Sequence, residues 1–303
     1  MLYNTFQHLP RIGPKTEERL WEDGITDWGV VRELPEEVIS MTPILPELIE
    51  DSFDRVRTRD SGWFSRRLPP AERWRMFGEF RNAVAYIDIE TNGRGHKAGG
   101  EITTICLWDG RNLKTYVQGE NLKNFQDDIL DYRLLVTYNG ASFDLPFIES
   151  WFNTTLPHGH IDLRYVLAGL GVRGGLKRCE EQMGLSRGDL SGVDGEYAVH
   201  LWNRYRTFEE QAVLDTLVAY NAMDVITLEQ LMFRAYNLKL AEMHLISPRI
   251  LPVPEQPPLP CAPPSIDVIE EIRERIEERR DGMRGLVRSM LSGDAERYDS
   301  ARD

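Results

Sequence analysis

Hydrophobic and polar positions repeat with two different periods along the chain, and the change of period predicts which segments are strands and which are helices. Residues 82–89 read NAVAYIDI, a short apolar run with β-branched and aromatic members that is typical of a buried strand. Residues 209–236 instead carry apolar side chains at helical spacing, which predicts one long helix.

The same patterns predict the order of the elements in the middle of the chain. They comprise strands 82–89, 101–108 and 113–118, helix 121–131, strand 134–138, helix 144–152, a short strand near His160, and mostly helices over 162–240. Short connections favour antiparallel pairing of the first three strands, and crossovers favour parallel pairing of the rest. The pattern indicates an α/β domain.

Four acidic side chains and one tyrosine lie on three of these predicted elements and are candidates for a common site. Asp88 and Glu90 are two residues apart on the first strand, so both carboxylates point to one face of the sheet. Tyr220 and Asp224 are four apart on the long helix and share one of its faces. Asp144 lies in the first turn of the helix that follows LLVTYNGASF.

Carboxylates gathered in one site repel one another unless a counter-charge is present. Mg²⁺ and Mn²⁺ prefer oxygen ligands and provide such a charge. With two ions, one activates a water and both stabilise the oxygens of a phosphodiester under attack. A single DxE or YxxxD is more often structural, but three such contexts in this order predict a two-metal nuclease.

Three motifs together resemble a known group of enzymes: DIET, then N-x-x-x-F-D from Asn139 to Asp144, then Y-x-x-x-D from Tyr220 to Asp224. In this order they resemble the DEDD superfamily of 3'-5' exonucleases, and Ala219 at the position of the His subtype's histidine indicates the Tyr subtype. The last two motifs resemble the proofreading domain of B-family DNA polymerases. A wider match over about 77–238, which includes DLSG, is similar to a stand-alone prokaryotic exonuclease family.

The resemblance implies an RNase H-like fold, a five-stranded mixed sheet flanked by helices, and hydrolysis of DNA from single-stranded 3' ends. It implies that Asp88 bridges two divalent ions, Mg²⁺ or Mn²⁺, and that Glu90 and Asp224 each hold one. Asp144 would bind through metal-bound water, and the hydroxyl of Tyr220 would orient the attacking water. An RNA exonuclease and a catalytically weak nucleic-acid-binding module remain alternatives, because nothing in the motifs reads the sugar.

Three neighbouring residues each have a functional and a structural interpretation. Asn139 could contact nucleic acid or fix the turn before Gly140, and the turn is favoured. Asp162 is interpreted as the N-cap of the next helix rather than a metal ligand. Lys177 in the GGLK turn could meet a phosphate or be an exposed surface lysine.

The N-terminal segment 9–25, LPRIGPKTEERLWEDGI, resembles a helix-hairpin-helix, with two short helices around a turn that contains Gly13. Such elements aim main-chain N–H groups at a DNA phosphate. The Gly13 amide and Lys15 are the predicted phosphate contacts. Arg11 stands where a glycine is common, and it could add a contact or distort the turn. The alternative is an αα-hairpin used for packing alone.

Basic and aromatic side chains are interleaved in the next segment. Between positions 55 and 81 there are eight arginines, and among them stand Trp63, Phe64, Trp74 and Phe77. Such a mixture suits a single-stranded nucleic acid, with charges on phosphates and rings stacked on bases. A linker that packs its aromatic rings on the main domain is an equally good interpretation.

Composition sets limits on this picture. A formal net charge of −13 argues against broad attraction to nucleic acid, so binding would come from local patches. The cysteines, Cys106, Cys179 and Cys261, are widely spaced and without a C-x-x-C motif, which indicates a reduced compartment. With no apolar run of transmembrane length, we expect a cytoplasmic protein that does not enter a membrane.

These observations divide the chain into five predicted parts: a helix-hairpin-helix element (1–40), a connecting segment (41–81), the exonuclease domain (82–245), a Pro-rich linker (246–265) and a charged C-terminal helix or tail (266–303). In the last part Ile269, Ile276, Met283 and Met290 recur every seven residues. This spacing could form a partner-binding helix or a short coiled coil. A helix that folds back on its own domain, or a partly disordered tail, is the alternative.

Overall fold

A five-stranded mixed sheet forms the centre of the protein, in the order β3-β2-β1-β4-β5. The computed structural model describes residues 1–35, 44–186, 195–243 and 250–299. The strands are β1 Val84–Thr91, β2 Ile102–Trp108, β3 Leu113–Val117, β4 Leu134–Thr137 and β5 Gly159–Asp162. β1, β2 and β3 pair antiparallel, whereas β4 and β5 run parallel to β1 on its other side. The predicted fold class and strand directions are confirmed.

Helices pack on both faces of this sheet. In the described ranges they are α1 Pro14–Glu22, α2 Trp28–Arg32, α3 Ile44–Arg57, α4 Ser61–Ser65, α5 Phe77–Phe80, α6 Phe125–Asp128, α7 Asp144–Phe152, α8 Leu163–Ala168, α9 Leu176–Gln182, α10 Gly195–Phe208, α11 Gln211–Glu242 and α12 Ile266–Asp299. Short 3₁₀ helices span Leu2–Asn4, Pro70–Met76, Arg81–Ala83, His96–Ala98, Leu122–Asn124 and Ile129–Asp131. The DLSG motif lies outside the described residues.

The two faces of β1 meet different partners because its side chains alternate. Ala85, Ile87 and Ile89 are buried in one apolar cluster with Phe147 of α7. The opposite face carries Asp88 and faces α11, whose Asn221 contacts that carboxylate. The spacing of the β1 sequence therefore aims its acidic side chains at the long helix.

A proline-rich segment, residues 250–265, lies along α11, and we call it the strap. At one end the side-chain amide of Asn237 donates to the carbonyl of Leu251 (2.7 Å) and accepts from its N–H (2.9 Å). At the other end the N–H of Ser265 donates to the hydroxyl of Thr216 (3.0 Å). The described part of the predicted linker is thus attached to the helix at both ends, while residues 244–249 lie outside the described part.

The first half of α12 folds back onto the domain. Ile269 and Ile276 are buried against α10 and α11. Arg204 of α10 forms an ion pair with Glu271 (2.5 Å). The fold-back interpretation is confirmed for this half, whereas Met283 is exposed. The side chain of Met290 and residues 300–303 lie outside the described part, and a protein partner for this helix stays a prediction.

The N-terminal segment does not form the predicted pair of helices around Gly13. Gly13 caps α1, with Pro14 at its first position, but the chain before it holds one 3₁₀ turn, Leu2–Asn4, followed by irregular turns. The carboxylate of Glu17 accepts hydrogen bonds from the Thr5 hydroxyl and the Phe6 N–H, both at 2.7 Å, and so draws this stretch into turns. The helix-hairpin-helix is not confirmed, and residues 36–43, including the expected boundary at 40, lie outside the described part.

The aromatic rings of the arginine-rich segment are buried. Trp63, Phe64, Trp74 and Phe77 all lie in the main core cluster, which they share with residues of the sheet and of α11. The guanidinium of Arg67 lies over the Trp63 ring at 4.0 Å. Packing explains this segment, and the four rings are not available for stacking on bases.

Candidate metal centre

Three carboxylates converge where β1 faces α11. Oxygen atoms of Asp88, Glu90 and Asp224 lie within 4.8 Å of one another. Glu90 exposes 9% of its surface and Asp224 5%, whereas Asp88 is half-buried. β1 supplies two of the three and α11 the third, as the strand and helix spacings predict.

Asp144 joins this group through the backbone of β1. As the first residue of α7, it is buried, and its Oδ1 accepts a hydrogen bond from the N–H of Ile89 at 3.2 Å. Ile89 stands between Asp88 and Glu90 in the strand, so Asp144 is fixed beside both. The structure thus brings together the four predicted carboxylates.

The turn before α7 is held by Asp162. Its carboxylate accepts from the N–H groups of Asn139 (2.8 Å) and Ala141 (3.1 Å), and it caps α8 through Arg164 N–H (3.0 Å). Asn139 adopts a left-handed backbone with φ of 65°. At Gly140 a Cβ would collide with the side chain of Thr137, so a glycine is required there. The N-cap role of Asp162 and the turn role of Asn139 are confirmed.

The electrostatics of the group suit a divalent cation. Burial raises the pKa of Glu90 well above its ordinary value, and repulsion by Asp224 and Asp144 raises that pKa further. Burial also raises the pKa of Asp144 to about 7, although the hydrogen bond from Ile89 opposes this rise. A dication would offset the repulsion, and oxygen-only donors match Mg²⁺ or Mn²⁺.

Lys177 and Tyr220 meet at the edge of this group. The ammonium of Lys177 donates to the hydroxyl of Tyr220 at 3.3 Å and lies 4.9 Å from the ring centre. The hydroxyl of Tyr138 donates to the carbonyl of Gly174 (2.5 Å) and holds the turn from which α9 starts. Lys177 also opposes the rise in the pKa of Glu90. The lysine is half-buried at the candidate site, so the exposed-surface interpretation is wrong.

One contact to Asp88 escaped prediction from the sequence. The side-chain N–H of Asn221 donates to Asp88 Oδ2 at 2.6 Å, and its carbonyl accepts from the Thr104 hydroxyl at 3.1 Å. The available signal was a polar residue at a buried position of the helix, inside the motif YNAMD. The partner on β2 has no sequence signal, because strand register decides it.

Comparison with known proteins agrees with this geometry. The sequence profile of the RNase_H superfamily (RNase_H_2) matches residues 85–236, which is half of the chain and contains all four carboxylates. The chain belongs to the RNase H superfamily. This membership supports a nuclease acting on nucleic acid, and the acidic cluster fits the divalent metals that the fold usually uses.

Two individual proteins are similar to this RNase H superfamily member. YprB of Bacillus subtilis (strain 168), an uncharacterised protein, is 28% identical over 188 residues, which cover 55% of this chain and 45% of YprB. The chain therefore spans less than half the length of that relative. The family B DNA polymerase of the archaeon Pyrobaculum calidifontis is 16% identical, with a TM-score of 0.37, over 50% of this chain and 27% of the polymerase.

The predicted N-terminal phosphate contacts lie apart from the carboxylates of the RNase H fold. Pro14 and Trp21 of α1 line a cleft of about 570 Å³ together with Lys239 at the far end of α11. Since a helix rises 1.5 Å per residue, Lys239 lies roughly 22 Å along the helix from Asp224. Arg11 and Lys15 are exposed, and Arg11 has the positive φ (66°) that glycine usually provides.

Two further predictions concern the surroundings of the protein. Cys106, Cys179 and Cys261 are free thiols, and the reduced compartment stays a prediction. Among the described residues, the helices are too short or too polar to span a membrane.

Proposed function

We propose that the chain is a metal-dependent 3'-5' exonuclease that hydrolyses DNA, with single-stranded 3' ends as its substrate. The observation that carries this proposal is the convergence of Asp88, Glu90 and Asp224 within 4.8 Å, on a sheet of the RNase H superfamily. The direction of digestion rests on the resemblance of the three motifs to the Tyr subtype of DEDD exonucleases.

The carboxylates have separate tasks in this mechanism. Asp88 would help to hold both divalent ions, whereas Glu90 and Asp224 would each hold one. Asp144 would act through a metal-bound water. Bound Mg²⁺ or Mn²⁺ would supply an activated water and stabilise the attacking and leaving oxygens. The Ile89 N–H holds the buried Asp144 in its place beside the other carboxylates.

Tyr220 and Lys177 complete the proposed machinery. The phenol of Tyr220 would orient the attacking water, and the ammonium of Lys177 fixes that phenol at 3.3 Å. The same ammonium places a positive charge beside the cluster, where it would attract a phosphate oxygen of the substrate. A direct contact of Asn139 with nucleic acid stays a prediction, since its side chain already pairs with Arg164.

The test is an activity assay on matched substrates. Purified protein with Mg²⁺ or Mn²⁺ should shorten a 5'-labelled single strand of DNA stepwise, and a chelator should stop the reaction. A matched RNA strand tests the RNA alternative. A DNA strand with a blocked 3' end tests the direction of digestion. A protein that binds every end but hydrolyses none of them, with either metal, would support the weak binding module instead.

Tyr220→Phe removes one hydroxyl and leaves the ring in the core. We expect turnover to fall by about a hundredfold, because the water loses its orienting group. Steady-state rates at saturating Mn²⁺ measure this, with Mn²⁺ affinity as a second readout that should not change. Tyr205→Phe removes a phenol that bonds Glu120 on the surface and is the matched control. A full rate in Tyr220→Phe would remove the assigned role.

The N-terminal turn is proposed as an auxiliary phosphate contact through the Gly13 amide, Lys15 and Arg11. Lys15→Gln should weaken DNA binding and reduce the slope of log affinity against log salt by about 0.7 to 0.9, the value for one phosphate. Arg19→Gln removes one exposed charge from the same helix and is the control. Equal slopes in both variants would leave the turn with a packing role alone.

A further inference from the structure

Asn221 is a buried polar residue with two defined partners. It is fully buried on α11, one position after Tyr220. Its amide nitrogen donates to Asp88 Oδ2 at 2.6 Å, and its carbonyl accepts from the hydroxyl of Thr104 at 3.1 Å. Thr104 is itself buried on β2, opposite Glu90 in the strand register. A chain of two hydrogen bonds therefore runs from β2 through α11 to the carboxylate on β1.

The direction of donation in these two hydrogen bonds follows from the chemistry of the groups. A carboxylate that is ionised only accepts hydrogen bonds, so the amide must turn its NH₂ toward Asp88 and its oxygen toward Thr104. The Thr104 hydroxyl donates to that oxygen and so holds the amide in the orientation that the carboxylate requires. Asn221 and Thr104 are both buried, so breaking the bond between them would leave polar atoms without a partner inside the protein.

Repulsion within the carboxylate cluster makes a restraint on Asp88 necessary. Asp88 lies beside Glu90 and Asp224, and like charges at this range push the carboxylates apart. A lysine or arginine at position 221 would restrain Asp88 but would cancel the negative charge that a cation requires. A neutral amide holds the carboxylate and leaves its charge in place.

We propose that Asn221 is a positioning residue that orients Asp88 for divalent cations, and that Thr104 fixes the amide of Asn221. The inference rests on the proposed two-metal function. It assigns the residue after the tyrosine in YNAMD a task separate from that of Tyr220. Outer partners of metal ligands are generally worth about tenfold to a hundredfold in metal affinity.

The experiment measures binding of Mn²⁺ alone to the full chain by calorimetry, at a temperature well below thermal unfolding. Asn221→Ala should weaken Mn²⁺ binding by about tenfold to a hundredfold. Thr104→Val, which removes only the hydroxyl, should weaken it by about threefold to tenfold. Thr103→Val is the control, because Thr103 is a buried threonine of the same strand as Thr104, and its hydroxyl makes no hydrogen bond within the described residues. Its Mn²⁺ affinity should equal that of the wild type.

Activity provides the second readout. Excess Mn²⁺ should restore most of the rate of Asn221→Ala, because its carboxylates are intact, whereas Asp88→Ala should stay inactive at any concentration. If Asn221→Ala does not fold, the Mn²⁺ affinity of Thr104→Val decides whether the proposal holds. Mn²⁺ affinities within twofold of the wild type in the folded variants would overturn the proposal. An inactive wild type whose Mn²⁺ binding still falls in Asn221→Ala would refute the nuclease function and leave the positioning role standing.

Discussion

Asp224→Asn should reduce hydrolysis of a labelled DNA strand by at least about a thousandfold, which corresponds to about 4 kcal/mol of transition-state stabilisation. Asparagine has the same shape as aspartate but no charge, so the cluster of three carboxylates within 4.8 Å would lose one metal ligand. Initial rates with Mg²⁺ and with Mn²⁺ measure the loss. The midpoint of thermal unfolding, recorded with and without metal, should show a smaller metal-induced rise than in the wild type.

Folding should not explain this loss. In the metal-free protein the substitution relieves repulsion with Glu90, so the variant should be at least as stable as the wild type. Asp215→Asn, on the same helix but paired with Gln211, is the matched control and should keep full activity. If Asp224→Asn retains more than a tenth of the wild-type rate, Asp224 is not an essential metal ligand.

Glu17→Ala should lower the free energy of unfolding by about 3 to 5 kcal/mol, the usual effect of breaking a buried ion pair from one side. Glu17 is buried, and its Oε2 accepts from Gln7 (2.6 Å) and pairs with the guanidinium of Arg75 (3.1 Å). Its Oε1 accepts from Thr5 and Phe6. Alanine would leave these donors unsatisfied within the core. Denaturant unfolding at pH 7 measures the change.

Glu18→Ala supplies the comparison for that experiment. Glu18 is exposed on the same helix, so its removal should change stability by less than about 0.5 kcal/mol. A similarly small effect for Glu17→Ala would mean that the N-terminal segment does not depend on this carboxylate. Activity of folded Glu17→Ala on a very short substrate should stay near the wild-type rate, because α1 lies far from Asp224.

The sheet and its carboxylates could be predicted because local periodicity determines them. Asp88 and Glu90 share a face because side chains in a strand repeat every second residue. Tyr220 and Asp224 share a face because residues four apart are neighbours on a helix. Asp144 follows a turn whose glycine and asparagine are visible in the sequence. In each case a few neighbouring residues determine where the side chains point. Only the convergence of the three motifs in one site requires the tertiary fold.

Other features depend on contacts between distant residues, which periodicity does not reveal. The predicted helix 121–131 is helical over 122–131, but it consists of a 3₁₀ helix, a short α-helix and a second 3₁₀ helix in succession. The turns before Gly13 form because Glu17 binds the backbone of Phe6. The partnership of Asn221 with Thr104 joins residues 117 positions apart.

The strap is synthesised after every residue of the candidate metal site. Asp88 leaves the ribosome early, but Asn221, which holds it, follows 133 residues later. On that same helix the Asn237 amide bonds the backbone of Leu251, and the Thr216 hydroxyl accepts from the N–H of Ser265. A nascent chain that stops before the strap lacks these two contacts to the helix that carries Asn221 and Asp224. We therefore expect nuclease activity to emerge late in translation, after residue 265 has been released.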